Sequence, residues 1–334
     1  VTQEDCKRGI RKWLVAVAKL LIVLLVVWAI RQTLSDALGQ LGEHPIRLNP
    51  LWLVAAGAFY LVGLLPSAFF WHRILLALGQ KARLRETARA YYIGHLGKYV
   101  PGKAMVVVLR AGLIRGRQVS ASVAAVSVFF ETLTMMAVGA FVSAAILAAK
   151  FRDQRFLFLV AVGLMVAAGL PTFPPIFRRL VKAFRVSKFD PSIADKLENL
   201  GYRDLLVGWL SITLGWVLLG FSLWAVLKAM GIADLDPIRQ LPLYTASVSL
   251  AMVAGFLSLI PGGAVVREAV LAELMVPRFG QLAAIAGALL LRIVWLVSEL
   301  IISGILYVVG PGKPDVTVHD CHRYEETEPR MKHG

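Results

Sequence analysis

Two cysteines, Cys6 and Cys321, are all that the 334 residues hold. They stand near opposite ends of the chain, so no disulfide framework organises it. Acidic residues are scarce as well, 21 against 36 lysines and arginines, for a formal charge of +15. A nucleic-acid binder would gather that excess on a long polar face. Here the basic residues cluster beside apolar runs, the pattern of cytoplasmic loops that touch anionic headgroups. Long polar stretches are missing: none reaches ~35 residues, below the size at which a domain folds alone. No Gly-rich phosphate loop ending in Lys-Ser/Thr, no His-Glu-x-x-His and no Gly-x-Ser-x-Gly occurs. Asp234-Leu-Asp236 has the spacing of a glycosyltransferase metal motif, but without a nucleotide-binding domain around it a helix-ending turn is the better reading. His319-Asp-Cys-His322 lacks a second cluster to complete a metal site. No enzymatic activity, metal, cofactor or nucleic-acid partner is expected.

What is present is apolar. Hydrophobic residues make up 58% of the chain, with a mean hydropathy of +0.69, above the ~45–50% of soluble domains. The chain reads as an all-α integral membrane protein. Lys7, Arg8, Arg11 and Lys12 precede an apolar run from Trp13 to Ile30 broken by Lys19. That run is close to the ~20 residues a span requires, so residues 1–31 read as an uncleaved anchor with its amino end in the cytoplasm. Further spans are expected over 51–78, 120–149, 156–170, 205–230 and 281–309, about six in all. Basic residues from Arg178 to Arg203 mark a cytoplasmic segment, and 310–334 reads as a polar tail, also cytoplasmic.

The most informative stretch runs from Tyr91 to Arg110 and breaks at Pro101-Gly102. Proline removes a backbone donor and glycine accepts almost any backbone angle, so two helical halves meeting at a break are expected. Basic residues on both sides suggest that 91–114 enters and leaves from the cytoplasm as a re-entrant hairpin. A second break, Pro261-Gly262-Gly263, follows 160 residues later, and an offset of 161 lays Glu131 on Arg292. Residues 51–149 and 204–309 thus form two repeats, each a helix, a hairpin (91–114, 243–275) and a helix, joined by 156–203. The charge asymmetry of the loops gives the two halves opposite orientations, an inverted repeat. The stretch 243–260 is also long enough to cross fully, which leaves an arrangement with seven full spans open.

Glu131, Arg292 and Glu299 fall inside apolar runs, where an ionisable group costs roughly 2.5–3.5 kcal/mol on insertion scales. They are expected to form an intramembrane charge network, with Glu131 paired to Arg292. Half-helices beginning at Gly102 and Gly262 would aim free backbone N–H groups at the breaks, with Lys98, Lys103, Arg110 and Arg267 nearby. These suit a lipid phosphate, with His95 and Glu268 as accessory groups. Tyr91, Tyr92 and Tyr99 read as interface anchors.

Gly94-His-Leu-Gly-Lys-Tyr-Val-Pro-Gly-Lys103, Glu131 in the next helix and Ser258-Leu-Ile-Pro-Gly-Gly263 resemble the lysylphosphatidylglycerol synthase transmembrane-domain family, also called flippase-like. The resemblance covers roughly residues 10–310. It implies a module of the bacterial inner membrane that moves lipids. In the multiple peptide resistance factor such a module is joined to a cytosolic lysyl transferase. This chain ends about 25 residues after its last span, so lysyl transfer is not expected. The implied function is binding and flipping of an anionic lipid, either a phospholipid or a polyprenyl-phosphate-linked glycolipid. The alternative is a non-transporting scaffold for a lipid or glycan synthesis enzyme.

Overall fold

The computed structural model describes residues 48–99, 104–114, 119–150, 155–183, 192–232, 237–258, 263 and 265–310. The expected anchor, Gly102, Lys103, Gly262, Asp234, Asp236 and the tail with His319–His322 lie outside the described residues. Helices account for the ordered structure, and no strand occurs among the described residues. They are α1 (Pro50–Ala77), α2 (Leu84–His95), α3 (Ala104–Ile114), α4 (Ala121–Lys150), α5 (Arg155–Gly169), α6 (Pro174–Ala183), α7 (Ser192–Glu198), α8 (Tyr202–Ala229), α9 (Pro237–Leu257), α10 (Val266–Phe279) and α11 (Gln281–Val309). A 3-10 turn, Leu96–Tyr99, extends α2, and another, Leu170–Thr172, extends α5.

Five described helices, α1, α4, α8, α9 and α11, are long and apolar enough to cross a membrane. Length and composition alone give that count, and the shortest of the five, α9 with 21 residues, packs on α10 as part of the second folded-back segment. The expected span over 156–170 forms α5, whose 15 residues and the three-residue 3-10 turn that follows together extend about 28 Å. Pro171 ends that helix in a 3-10 turn. The chain is an integral membrane protein, helical throughout the elements of its described residues.

The centre of the fold is the antiparallel pair α1–α8. Leu51 N–H is capped by the Asn49 side chain at 3.0 Å, and Asn49 N–H reaches Ala229 O at 2.8 Å. At the other end Arg73 pairs with Asp204 at 3.1 Å. Between them the backbones nearly touch: a Cβ added to Gly215 would lie 2.8 Å from Gly63 O. Small residues let two apolar helices approach this closely where no water drives them together. On one side α2, its 3-10 turn and α3 fold back on each other against α4; on the other α9 and α10 pack on α8 and α11. Helix α11 packs on α1, α2 and α10, so it borders both folded-back segments. The basic stretch after α5 supplies α6 and α7, where Arg178 donates to the carbonyls of Leu197, Glu198 and Leu200 and so caps the end of α7.

Candidate functional site

A buried layer of charge sits where the two folded-back segments meet α4 and α11. In the first segment a glycine faces an arginine: a Cβ on Gly94 would lie 2.4 Å from Arg110 Cγ. That contact brings α3 against α2 and places the Arg110 guanidinium inside. Arg110 Nη1 pairs with Glu131 Oε2 of α4 at 2.7 Å, and its Cζ lies 3.7 Å from the centre of the Tyr91 ring. Tyr91 in turn donates its hydroxyl to Glu131 Oε1 at 3.2 Å. Arg110 is 2% exposed and Glu131 1%. The pair is closed and neutral.

The second segment repeats the geometry with a different charge. A Cβ on Gly255 would lie 3.2 Å from Arg267 Cβ, which holds α10 against α9 as Gly94 holds α3 against α2. Arg267 lies over the Trp295 ring at 5.3 Å. The helix that follows, α11, carries Arg292. Two guanidiniums therefore share one carboxylate: Glu268 Oε1 is 2.7 Å from Arg292 Nη1 and 3.3 Å from Arg267 Nε. All three are largely buried, yet neither Glu268 oxygen meets hydrogen-bond geometry. This group keeps an excess of one positive charge.

Glu299, two turns beyond Arg292, binds a third cation. Lys98 Nζ of the 3-10 turn is 2.5 Å from Glu299 Oε1 and donates to the Tyr60 hydroxyl at 3.2 Å. The Tyr60 hydroxyl itself donates to Glu299 Oε1. His95 joins the two halves: its Nδ1 is 3.2 Å from Arg110 Nη2, and its Nε2 is 3.8 Å from Glu299 Oε1. Tyr60 stacks on Trp295 with ring centres 4.4 Å apart, and Trp295 donates to Ser222 Oγ of α8, which donates to Ala56 O of α1. The network is thus fixed to the central helix pair.

Several expectations change here. Glu131 does not pair with Arg292; each is taken by a partner from its own half, Arg110 and Glu268. The folded-back segments insert their own charges between α4 and α11, so no direct bond is needed. Lys98 and Arg110, expected at an open phosphate site, are engaged by Glu299 and Glu131. Tyr91 and Tyr92 are 0% and 7% exposed and face the interior, Tyr92 donating to Leu61 O at 2.6 Å; they are not interface anchors, because buried Glu131 and the Leu61 carbonyl accept their hydroxyls. Glu268 moves from accessory to central. The sequence reading missed Tyr60 and Trp295. Trp295 could have been found, since it lies between Arg292 and Glu299 on one helix face, whereas Tyr60 is a lone tyrosine in an apolar run with no local signal.

The lysylphosphatidylglycerol synthase TM region matches residues 15–303, most of the chain. The chain belongs to that family. No curated protein matches it. In this member of the lysylphosphatidylglycerol synthase TM-region family, the buried charges are divided between the folded-back segments (Lys98, Arg110, Arg267, Glu268) and the helices α4 and α11 (Glu131, Arg292, Glu299). Gly94 and Gly97 lie in the motif before the first break, and Gly263 closes the second with a φ of +64°. A Cβ on Gly263 would come within 2.8 Å of Gly255 Cα, so only glycine fits there.

Proposed function

We propose that the protein binds an anionic lipid by its phosphate between Arg267 and Arg292 and carries it across the bacterial inner membrane, without chemical change to the lipid. The lipid is a phospholipid or a polyprenyl-phosphate-linked glycolipid, and both chain ends face the cytoplasm. The observation that carries this reading is the unequal charge of the two halves. Arg110 and Glu131 neutralise each other, whereas Glu268 serves both Arg267 and Arg292. An uncompensated charge at membrane depth costs about 2.5–3.5 kcal/mol, and a phosphate would remove that cost. Arg267 and Glu268 stand in the first turn of α10, so the positive end of a helix dipole adds to the attraction.

The two broken segments act in this reading as re-entrant hairpins of an inverted repeat. Three features support it: the antiparallel pairing of the corresponding helices α1 and α8, the close approach of Gly63 and Gly215, and the matching glycine–arginine contacts of the hairpins. Broken helices meeting in such a repeat are how many transporters build a substrate site.

The test is reconstitution into vesicles containing fluorescent phosphatidylglycerol, with inward or outward movement read by chemical quenching. Wild-type protein is expected to move the lipid. Arg267→Gln and Arg292→Gln should each lower the rate by roughly tenfold or more, the worth of a charge-assisted hydrogen bond. Vesicles in which correctly folded wild-type protein moves no anionic lipid would overturn the proposal.

A further inference from the structure

The Lys98–Glu299 pair offers more than structural support, and the inference rests on anion capture at Arg267 and Arg292. Arg267 lies over the Trp295 ring, Trp295 stacks on Tyr60, and the Tyr60 hydroxyl accepts from Lys98, so three cations converge on two carboxylates, Glu268 and Glu299. The three are not equally fixed. Arg292 lies in mid-helix on α11, and Arg267 is packed against Gly255 and the Trp295 ring, whereas Lys98 stands on a four-residue 3-10 turn with its side chain 16% exposed. A lysine stem is flexible and its ammonium can be re-aimed. A phosphate entering against the arginines therefore draws Lys98 towards itself. Glu299, 1% exposed in mid-helix, cannot follow.

The remaining neighbours do not replace the lost charge. Tyr60 of α1 donates to Glu299, and the Tyr99 ring of the 3-10 turn lies 5.0 Å from Lys98 Nζ; neither brings a charge. His95 of α2 is kept neutral by its other contact. The Arg110 guanidinium of α3 can only donate, so His95 Nδ1 must accept and the ring proton sits on Nε2, facing Glu299. A second proton on that ring would point at the guanidinium. From α10 and α11, Arg267 and Arg292 are already engaged by Glu268 and would be engaged further by the phosphate. Glu299 Oε2 has no hydrogen-bond partner, and it is open to receive a proton.

We propose that Glu299 is a proton site, occupied either by the Lys98 ammonium or by a proton, so that capture of an anionic lipid takes up one proton and its release returns it. The proton comes from water and bonds to Glu299 Oε2. Lys98 and the proton exchange without any other reactant. Lipid movement would thereby be linked to a proton gradient.

Isothermal titration of the detergent-solubilised protein with short-chain phosphatidylglycerol, in two buffers of different ionisation enthalpy, decides this. The wild type should show a heat difference equal to about one proton per bound lipid. In Glu299→Gln the heats should coincide, and binding should tighten because Lys98 is already free. Wild-type binding with equal heats overturns the proton linkage and leaves the lipid reading standing. Failure of the wild type to bind overturns the lipid reading and this inference with it. Infrared spectra of Lys98→Met without lipid supply the second measurement. A carboxylic-acid C=O band should appear and vanish in Lys98→Met/Glu299→Gln; its absence from folded Lys98→Met overturns the proton site.

Discussion

The Arg110–Glu131 pair sets the stability of the first half at single-residue resolution. Each partner is almost wholly enclosed, so removing one charge strands the other in a medium that cannot solvate it. Arg110→Gln or Glu131→Gln should cost about 3–5 kcal/mol, read as a lowered midpoint of denaturant unfolding in detergent. The double variant should recover part of that loss, because neither charge is then left alone. A double variant no better than the worse single would refute the pairing. The sequence could say that Glu131 needs a partner but not which one. Arg110 lies 21 residues from it and Arg292 lies on a different helix, α11, and the fold-back of α3 onto α2 decides between them. Lys98 illustrates the same limit: its cationic character is plain, but its partner on α11 lies 201 residues away.

At the scale of elements, the folded-back segments depend on glycines whose backbones touch the opposing arm. A Cβ on Gly97 would lie 2.8 Å from Val106 N and 2.9 Å from Met105 C, both backbone atoms that cannot rotate aside. Gly97→Ala should therefore force the 3-10 turn away from α3, at a cost of about 1–3 kcal/mol, and should displace Lys98 from Glu299. Gly112 on α3 provides the control. It meets nothing within 4 Å, so Gly112→Ala should be neutral or stabilising by up to about 1 kcal/mol, the helix-propensity gain of alanine. Thermal melts of the two variants, with lipid movement assayed in parallel, check the pair. Equal effects would mean that the close packing of the arms is not what matters. The breaks themselves were legible because proline and glycine punctuate a helix by local chemistry. The reach of α9 was legible only in part. Its apolar run over 243–260 was visible, whereas the structure starts the helix earlier, at Pro237, with Pro242 inside it.

Across the whole molecule, function in this reading follows from two halves of matching shape and unlike charge. Glu131 closes the first half; Arg292 of α11 leaves the second open. Changing that single position should shift the molecule's choice of lipid in graded steps. Arg292→Lys keeps the excess positive charge beside Glu268, Arg292→Gln leaves Arg267 and Glu268 balanced, and Arg292→Glu makes the group negative. The last substitution need not unfold the chain, because Arg267 can pair with the introduced carboxylate as Arg110 pairs with Glu131. Native mass spectrometry of the purified proteins would read the lipids each retains. Anionic lipid should be held by the wild type and Arg292→Lys, weakened about tenfold in Arg292→Gln for the loss of about 1.4 kcal/mol or more, and absent from Arg292→Glu. A series that retains the same anionic lipid throughout would show that recognition lies elsewhere and that the unequal charge of the halves serves only packing. A graded loss would tie lipid choice to the charge carried at position 292.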